Sequence, residues 1–131
     1  MDWQPISEAS LWDEINRAEA RMTPQQARLW SAIRILPEKW RQAPYGAAGG
    51  GFWAVGLLGT IVLWYNDIED GFNCSRWTRH GVIDEFWCNQ DDLERAVQRL
   101  VDVVEAGRPL DGAGGPPQAG EGPRSRATPS S

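Results

Sequence analysis

FWAVGLLGTIVLWYNDIEDGFNCSRWTRHGVIDEFWC, residues 52–88, holds nearly all of the strand-like and aromatic sequence in this chain. Residues 52–57 and 60–65 read as two strands joined by a tight turn at Leu58-Gly59. Pairing about that turn sets Trp53 opposite Trp64 and Phe52 opposite Tyr65. Aromatic pairs across strands contribute about 0.2–1 kcal/mol each, so the hairpin can fix its own register. The acidic turn Asn66-Asp67-Ile68-Glu69-Asp70-Gly71 leads to a third strand over 72–78, and Arg79-His80-Gly81 turns the chain into a fourth over 82–88. The stretch therefore predicts a four-stranded antiparallel β-meander. Both faces of its first hairpin carry apolar residues, so helices are expected over one face and something else over part of the other.

Helical signals flank this stretch. Ser7 is a good N-cap for a helix over 8–22, with Ile6 and Leu11 spaced as a hydrophobic staple and Leu11, Trp12, Ile15, Ala18 and Met22 forming an apolar stripe. Thr23-Pro24-Gln25-Gln26 restarts the chain with a capping box and a proline at the first helical position, and a second helix follows to about Ile35. Leu29, Trp30, Ile33 and Leu36 share its face, and the Leu36-Pro37 step ends it. Pro37-Glu38-Lys39-Trp40 is expected to begin a short turn. Between it and the sheet, residues 42–51 are rich in glycine and form a connector, without the spacing of a phosphate loop. Asn89 is expected to cap a last helix over 90–106, with Leu93, Val97, Leu100, Val101 and Val104 laid on the sheet and Gly107 as its stop. The whole is an α+β domain over 1–106, two N-terminal helices, the meander and a C-terminal helix packed on the sheet. A disordered Gly/Pro/Ser-rich tail is expected over 107–131.

With 131 residues the chain fits one domain that buries a modest core. A formal charge of -5 and an isoelectric point near 4.8 argue against a nucleic-acid or anionic-membrane surface, which needs clustered Lys and Arg, and favour a basic partner. The sequence opens acidic and polar, without a secretory pattern, and has no apolar run of the length of a membrane span, so a cytoplasmic setting is expected. In that setting Cys74 and Cys88 are expected as reduced, partly buried thiols, although their places near the far ends of the last hairpin would let them meet.

No motif specifies a catalytic centre, a cofactor or a metal. Asp67, Glu69 and Asp70 cluster, but with Gly71 in the glycine position of a calcium loop Ile68 and Trp77 would occupy ligand positions, so a solvated turn is the expectation. A zinc site from Cys74, His80 and Cys88 lacks a fourth ligand and places His80 at the opposite end of its hairpin from the thiols, which also rules out a Cys–His nucleophile. Asp84 and Glu85 occupy adjacent strand positions and point to opposite faces, with Arg76 across the hairpin as a partner for one of them. The remaining signal is the eight tryptophans. Most belong in a core, and those left exposed beside acidic residues have the composition of a protein-binding hot spot.

Leu36-Pro37-Glu38-Lys39-Trp40 after a helix, then a glycine-rich loop, an aromatic meander near an acidic glycine turn, and a closing helix at Asp91-Asp92-Leu93 together resemble the SUKH superfamily, over residues 23–106. The first helix and the run from Trp64 to Asn73 fall outside the resemblance. Many members of that family are bacterial immunity proteins that neutralise toxins by binding them, which implies a non-catalytic binding protein here. The expected contact residues are Asp67, Glu69 and Asp70 with the neighbouring aromatics Trp77 and Tyr65, engaging a basic protein. Two other readings stand beside it. One is a small enzyme or ligand-binding domain with a pocket between the glycine-rich loop and the sheet, the acidic loop forming its polar wall. The other is a homo-oligomeric structural protein that buries an open sheet face against its copy, for instance as a homodimer.

Overall fold

The computed structural model describes residues 4–42, 50–107 and 110. The glycine-rich segment 43–49 and nearly all of the tail expected over 107–131 lie outside the described residues. The chain forms α1 (Glu8–Arg21), α2 (Pro24–Ile33), β1 (Arg34–Trp40), β2 (Phe52–Leu58), β3 (Ile61–Asn66), β4 (Gly71–Arg76) and α3 (Leu93–Ala106). The sheet is a four-stranded antiparallel meander in the order β1-β2-β3-β4, and the helices pack on one of its faces. The expected α+β architecture is thus the observed one. Among the described residues no helix is long and apolar enough to cross a membrane.

Both N-terminal helices start where their caps predict. Ser7 Oγ accepts the Ser10 N–H at 3.1 Å, and Thr23 and Gln26 satisfy each other reciprocally at 3.1 and 2.9 Å. α3 begins later than expected. Asp91 is held in an extended bridge to Phe72, whose N–H donates to the Asp91 carbonyl at 2.9 Å, so Asp92 rather than Asn89 is the N-cap. Gly107 closes α3 in the left-handed conformation, as its position predicts.

The strands differ from the expectation at both ends of the sheet. The first strand comes from 34–40, where the end of the second helix and then a short turn from Pro37 to Trp40 were expected. Arg34 pairs with Gly56 and Glu38 with Ala54, so Ile35, Leu36 and Pro37 together face Val55 in a wide bulge. A bulged edge tolerates proline, which has no N–H to give a ladder. The same bulge turns Leu36 outward to 81 % exposure, away from the core position expected for it. In the central hairpin the turn is Gly59-Thr60, and a second bulge at Val55-Gly56 brings Trp53 opposite Tyr65 and Ala54 opposite Trp64. The expected Trp53–Trp64 and Phe52–Tyr65 pairs do not form, because the turn lies one residue later and the bulge shifts the register again.

Residues 82–88 are not the fourth strand. Side chains of β3 and β4 take their backbone instead. Ser75 Oγ donates to the Glu85 carbonyl at 2.7 Å, Asn66 donates to the Trp87 carbonyl at 2.9 Å, and Asn73 accepts the Asn89 N–H at 2.9 Å while its own amide donates to the Asn89 carbonyl at 3.2 Å. Trp64 Nε1 donates to Ser75 Oγ at 2.9 Å and completes the chain of bonds. The segment 77–91 is therefore a strap across the face away from the helices, held by Asn and Ser side chains and by isolated backbone bonds such as Asp84 N–H to the Arg76 carbonyl at 3.2 Å, rather than by a continuous ladder.

Two apolar layers follow. Leu11, Ile15, Trp30, Val55, Leu63, Phe72, Leu93, Val97 and Leu100 fill the space between helices and sheet, and Trp40, Phe52, Val62, Trp64, Ile83 and Phe86 fill the space under the strap. Cys74 belongs to the first layer and Cys88 packs against the second, so the sheet separates them and neither is in a disulfide. Burial pushes the Cys74 thiol up to about 12.

Where the strap passes round the edge of β4 it touches Gly71. A methyl group there would lie 2.2 Å from the Asn89 carbonyl oxygen and 2.4 Å from Gln90 Cα, both backbone atoms. Gly71→Ala is accordingly expected to destabilise the fold by about 2–3 kcal/mol or more, the cost of forcing atoms into a packed site. At Gly56 an added methyl meets its nearest neighbour at 3.4 Å, and Gly56→Ala is expected to cost distinctly less. Urea denaturation of both variants beside the wild type checks the order, and equal midpoints for all three would refute it.

Candidate functional site

The β3–β4 turn carries the expected acidic residues but gives them different tasks. Asn66 Oδ1 accepts the N–H groups of Ile68 and Glu69 at 3.0 and 3.2 Å, which winds the turn tightly. Asp70 then adopts a positive φ of 60°, a conformation that aspartate tolerates better than most residues. Asp67 is turned inward and is only 7 % exposed, accepting the Ile6 N–H at 2.7 Å. Trp53 Nε1 donates to the carbonyl of the same Ile6 at 3.4 Å, so the chain leading into α1 is tied to the sheet through both of its backbone groups. Lys39 completes this end of the sheet. Its ammonium lies 4.7 Å from the Trp53 ring centre and donates to the Gly51 carbonyl at 3.3 Å. Burial lowers its proton affinity, against the pull of Asp67.

Tyr65 is also 7 % exposed and belongs to the helix-side core. Its ring packs edge-on against Phe72 at 4.8 Å, and the Asp70 carboxylate acts on its hydroxyl. Asp67 and Tyr65 thus have too little surface to meet a partner, and they support the turn from within. Of the turn residues, Ile68 and Asp70 are exposed and Glu69 is half-buried. The charge of Glu14 on α1 also acts on the Tyr65 hydroxyl, so this helix adds a third carboxylate to the same end of the molecule. Nothing in the sequence joins Glu14 to a turn so far along the chain, because only the packing of α1 over the sheet brings them together. Among the described residues no group of three His, Cys, Asp or Glu is arranged to hold a metal ion.

Trp77, the fifth expected contact residue, does not join this group. It follows the far end of β4, its N–H donating to the Thr60 carbonyl at 2.9 Å, and its indole meets Trp40 edge to face at 5.4 Å. It is half-buried, and its Nε1 is enclosed without a hydrogen-bond partner. Trp77, Trp40 and His80 form a separate cluster around Glu38. The Arg76–Glu85 pair expected across the last turn does form, at 3.4 Å.

Comparisons of the chain with family models, with curated proteins and with solved structures gave no match. The functional reading therefore rests on the residues described above.

The environment of Tyr65 has a measurable consequence. Its phenol is pushed up to about 12, by burial first and then by the carboxylates of Asp70, Glu14 and Asp67. An unfolded tyrosine ionises near pH 10. The stability that depends on a neutral Tyr65 is therefore intact below about pH 10 and is lost as the pH rises through about 12. Tyr65→Phe, which keeps the ring and removes the proton, is expected to fall less steeply in stability than wild type between pH 9.5 and 11.5. Thermal unfolding across that range checks it, and parallel curves would show that Tyr65 carries no such term.

Proposed function

We propose that this protein is a non-catalytic binding protein of the inhibitor or immunity type, whose partner is a basic protein met by the acidic end of the sheet. The observation that carries the reading is that the charges of Asp70, Glu14 and Asp67 all act on one buried tyrosine, with Glu69 beside Asp70 in the same turn, in a chain with a formal charge of -5. A surface of one sign raises the rate of encounter with an oppositely charged partner and disfavours acidic competitors. The tight Asn66 turn and the Asp67–Ile6 bond hold these groups in place before binding, which lowers the ordering cost of association. The resemblance to immunity proteins points to the same class of partner, and the contacts in this reading are Glu69, Asp70 and Glu14, with Asp67 and Tyr65 as their supports.

The test is a triple variant, Glu14→Lys, Glu69→Lys and Asp70→Asn, which spares the buried Asp67. Proteins of the source cell that bind the wild type are captured at low and at high salt, identified, and measured as purified partners. A basic partner is expected whose affinity falls tenfold or more in the variant and falls steeply with salt for the wild type. A partner whose affinity ignores both changes would show that this surface is not the binding site.

A further inference from the structure

The only histidine of the chain stands where the start of the strap is fastened to β1. His80 Nε2 lies 2.9 Å from Glu38 Oε2, the same oxygen that accepts the Trp40 indole N–H at 2.9 Å. The imidazole is centred 4.8 Å from the Trp40 ring and 6.0 Å from the Trp77 ring. Beside it the main chain closes a short parallel bridge, with the Arg41 N–H donating to the Gly81 carbonyl and the Ile83 N–H to the Arg41 carbonyl, both at 2.8 Å. The His80 side chain is 62 % exposed, so protons reach it freely.

We propose that His80 and Glu38 are a proton-operated latch, which fastens residues 77–83 to the edge of β1 more firmly when His80 is charged. A neutral imidazole holds Glu38 by a hydrogen bond alone. An imidazolium adds an ion pair with the same carboxylate and sets a cation within about 6 Å of two indole rings. Histidine is the side chain whose charge ordinarily changes between pH 5 and 8. Around it stand Glu38 on β1 and Arg41 just past its end, Arg79, Asp84 and Glu85 in the segment itself, and Arg76 at the end of β4, while Arg34 and Lys39 of β1 are engaged elsewhere, with Glu19 and with the Gly51 carbonyl and Trp53 ring. Arg76 and Glu85 are engaged with each other, and Glu38 is in direct contact with the imidazole. What the latch covers is apolar, since Trp40 is fully buried beneath the turn and Ile83 is 2 % exposed. Its action is independent of the partner proposed for the acidic end.

Hydrogen exchange of the Arg41 and Ile83 amides tests it, followed by NMR at pH 5.5 and pH 8, with each rate divided by that of an unstructured peptide at the same pH. The amides of Leu63 on β3 and Cys74 on β4, away from this turn, report opening elsewhere in the sheet. Protection of Arg41 and Ile83 is expected to be about two- to five-fold higher at pH 5.5, the range of a solvent-exposed ion pair. Protection of Leu63 and Cys74 should not follow. The difference should vanish in His80→Gln and in Glu38→Gln, each of which keeps a hydrogen-bonding side chain. Equal protection at both pH values in the wild type, the same pH dependence surviving in His80→Gln, or Arg41 and Ile83 merely following Leu63 and Cys74 would each overturn the latch.

Discussion

A sheet with two apolar faces has to be covered twice, and everything after β4 serves that requirement. Trp40, Phe52, Val62 and Trp64 on one face and Val55, Leu63, Tyr65 and Phe72 on the other bury too much apolar surface for either side to stay open. The helices cover the second set. The first set is covered by a strap with no ladder of its own, which is possible because Asn66, Asn73 and Ser75 point from β3 and β4 into that layer and bond its backbone. Each of these three is almost fully buried, and each is satisfied by a main-chain group of the strap. Replacing them with apolar residues of the same size would leave the strap carbonyls unpaired, at a cost on the order of 1–3 kcal/mol each.

The passage from strap to helix decides the rest of the topology. The chain rounds the edge of β4 at Asn89-Gln90, against a glycine that leaves room for it, and then forms the Phe72–Asp91 bridge before α3 begins. One edge of the sheet is closed in this way, and the Arg41 bridge to Val82 closes part of the other. Ion pairs then join elements distant in sequence, Arg21 with Glu94 at 2.7 Å and Arg99 with Asp91 at 2.8 Å. Arg34 pairs with Glu19 while its guanidinium lies over Trp12 and Trp30. These charges are engaged in pairs that involve the helices, whereas Asp70 of the β3–β4 turn is exposed.

Where sequence patterns are local they were read well. Ser7, Thr23 with Gln26, and Gly107 mark helix ends by hydrogen bonds that span a few residues, and the structure uses each of them as expected. The misread strands were decided at longer range. Residues 34–40 become a strand because β2 has a free edge and the bulge excuses Pro37, neither of which is visible in those residues alone. Residues 82–88 carry the local signs of a strand, yet apart from one backbone bond, Asp84 N–H to the Arg76 carbonyl, β4 holds them by side chains. Among the acidic residues, Asp67 and Asp70 look alike in sequence, and only the approach of Ile6 and the hydroxyl of Tyr65 sets their different tasks.

By itself, then, the sequence determined the class of fold, the order of helices and strands, the helix caps and the acidic character of the turn, because each depends on spacing and charge within a short window. Tertiary structure decided which residues form the first strand, what covers the second face, the separation of Cys74 from Cys88 across the sheet, and the meeting of Ile6 with Asp67 and of Glu38 with His80. Each of these depends on two stretches far apart in the chain that pack only once both faces of the sheet are closed.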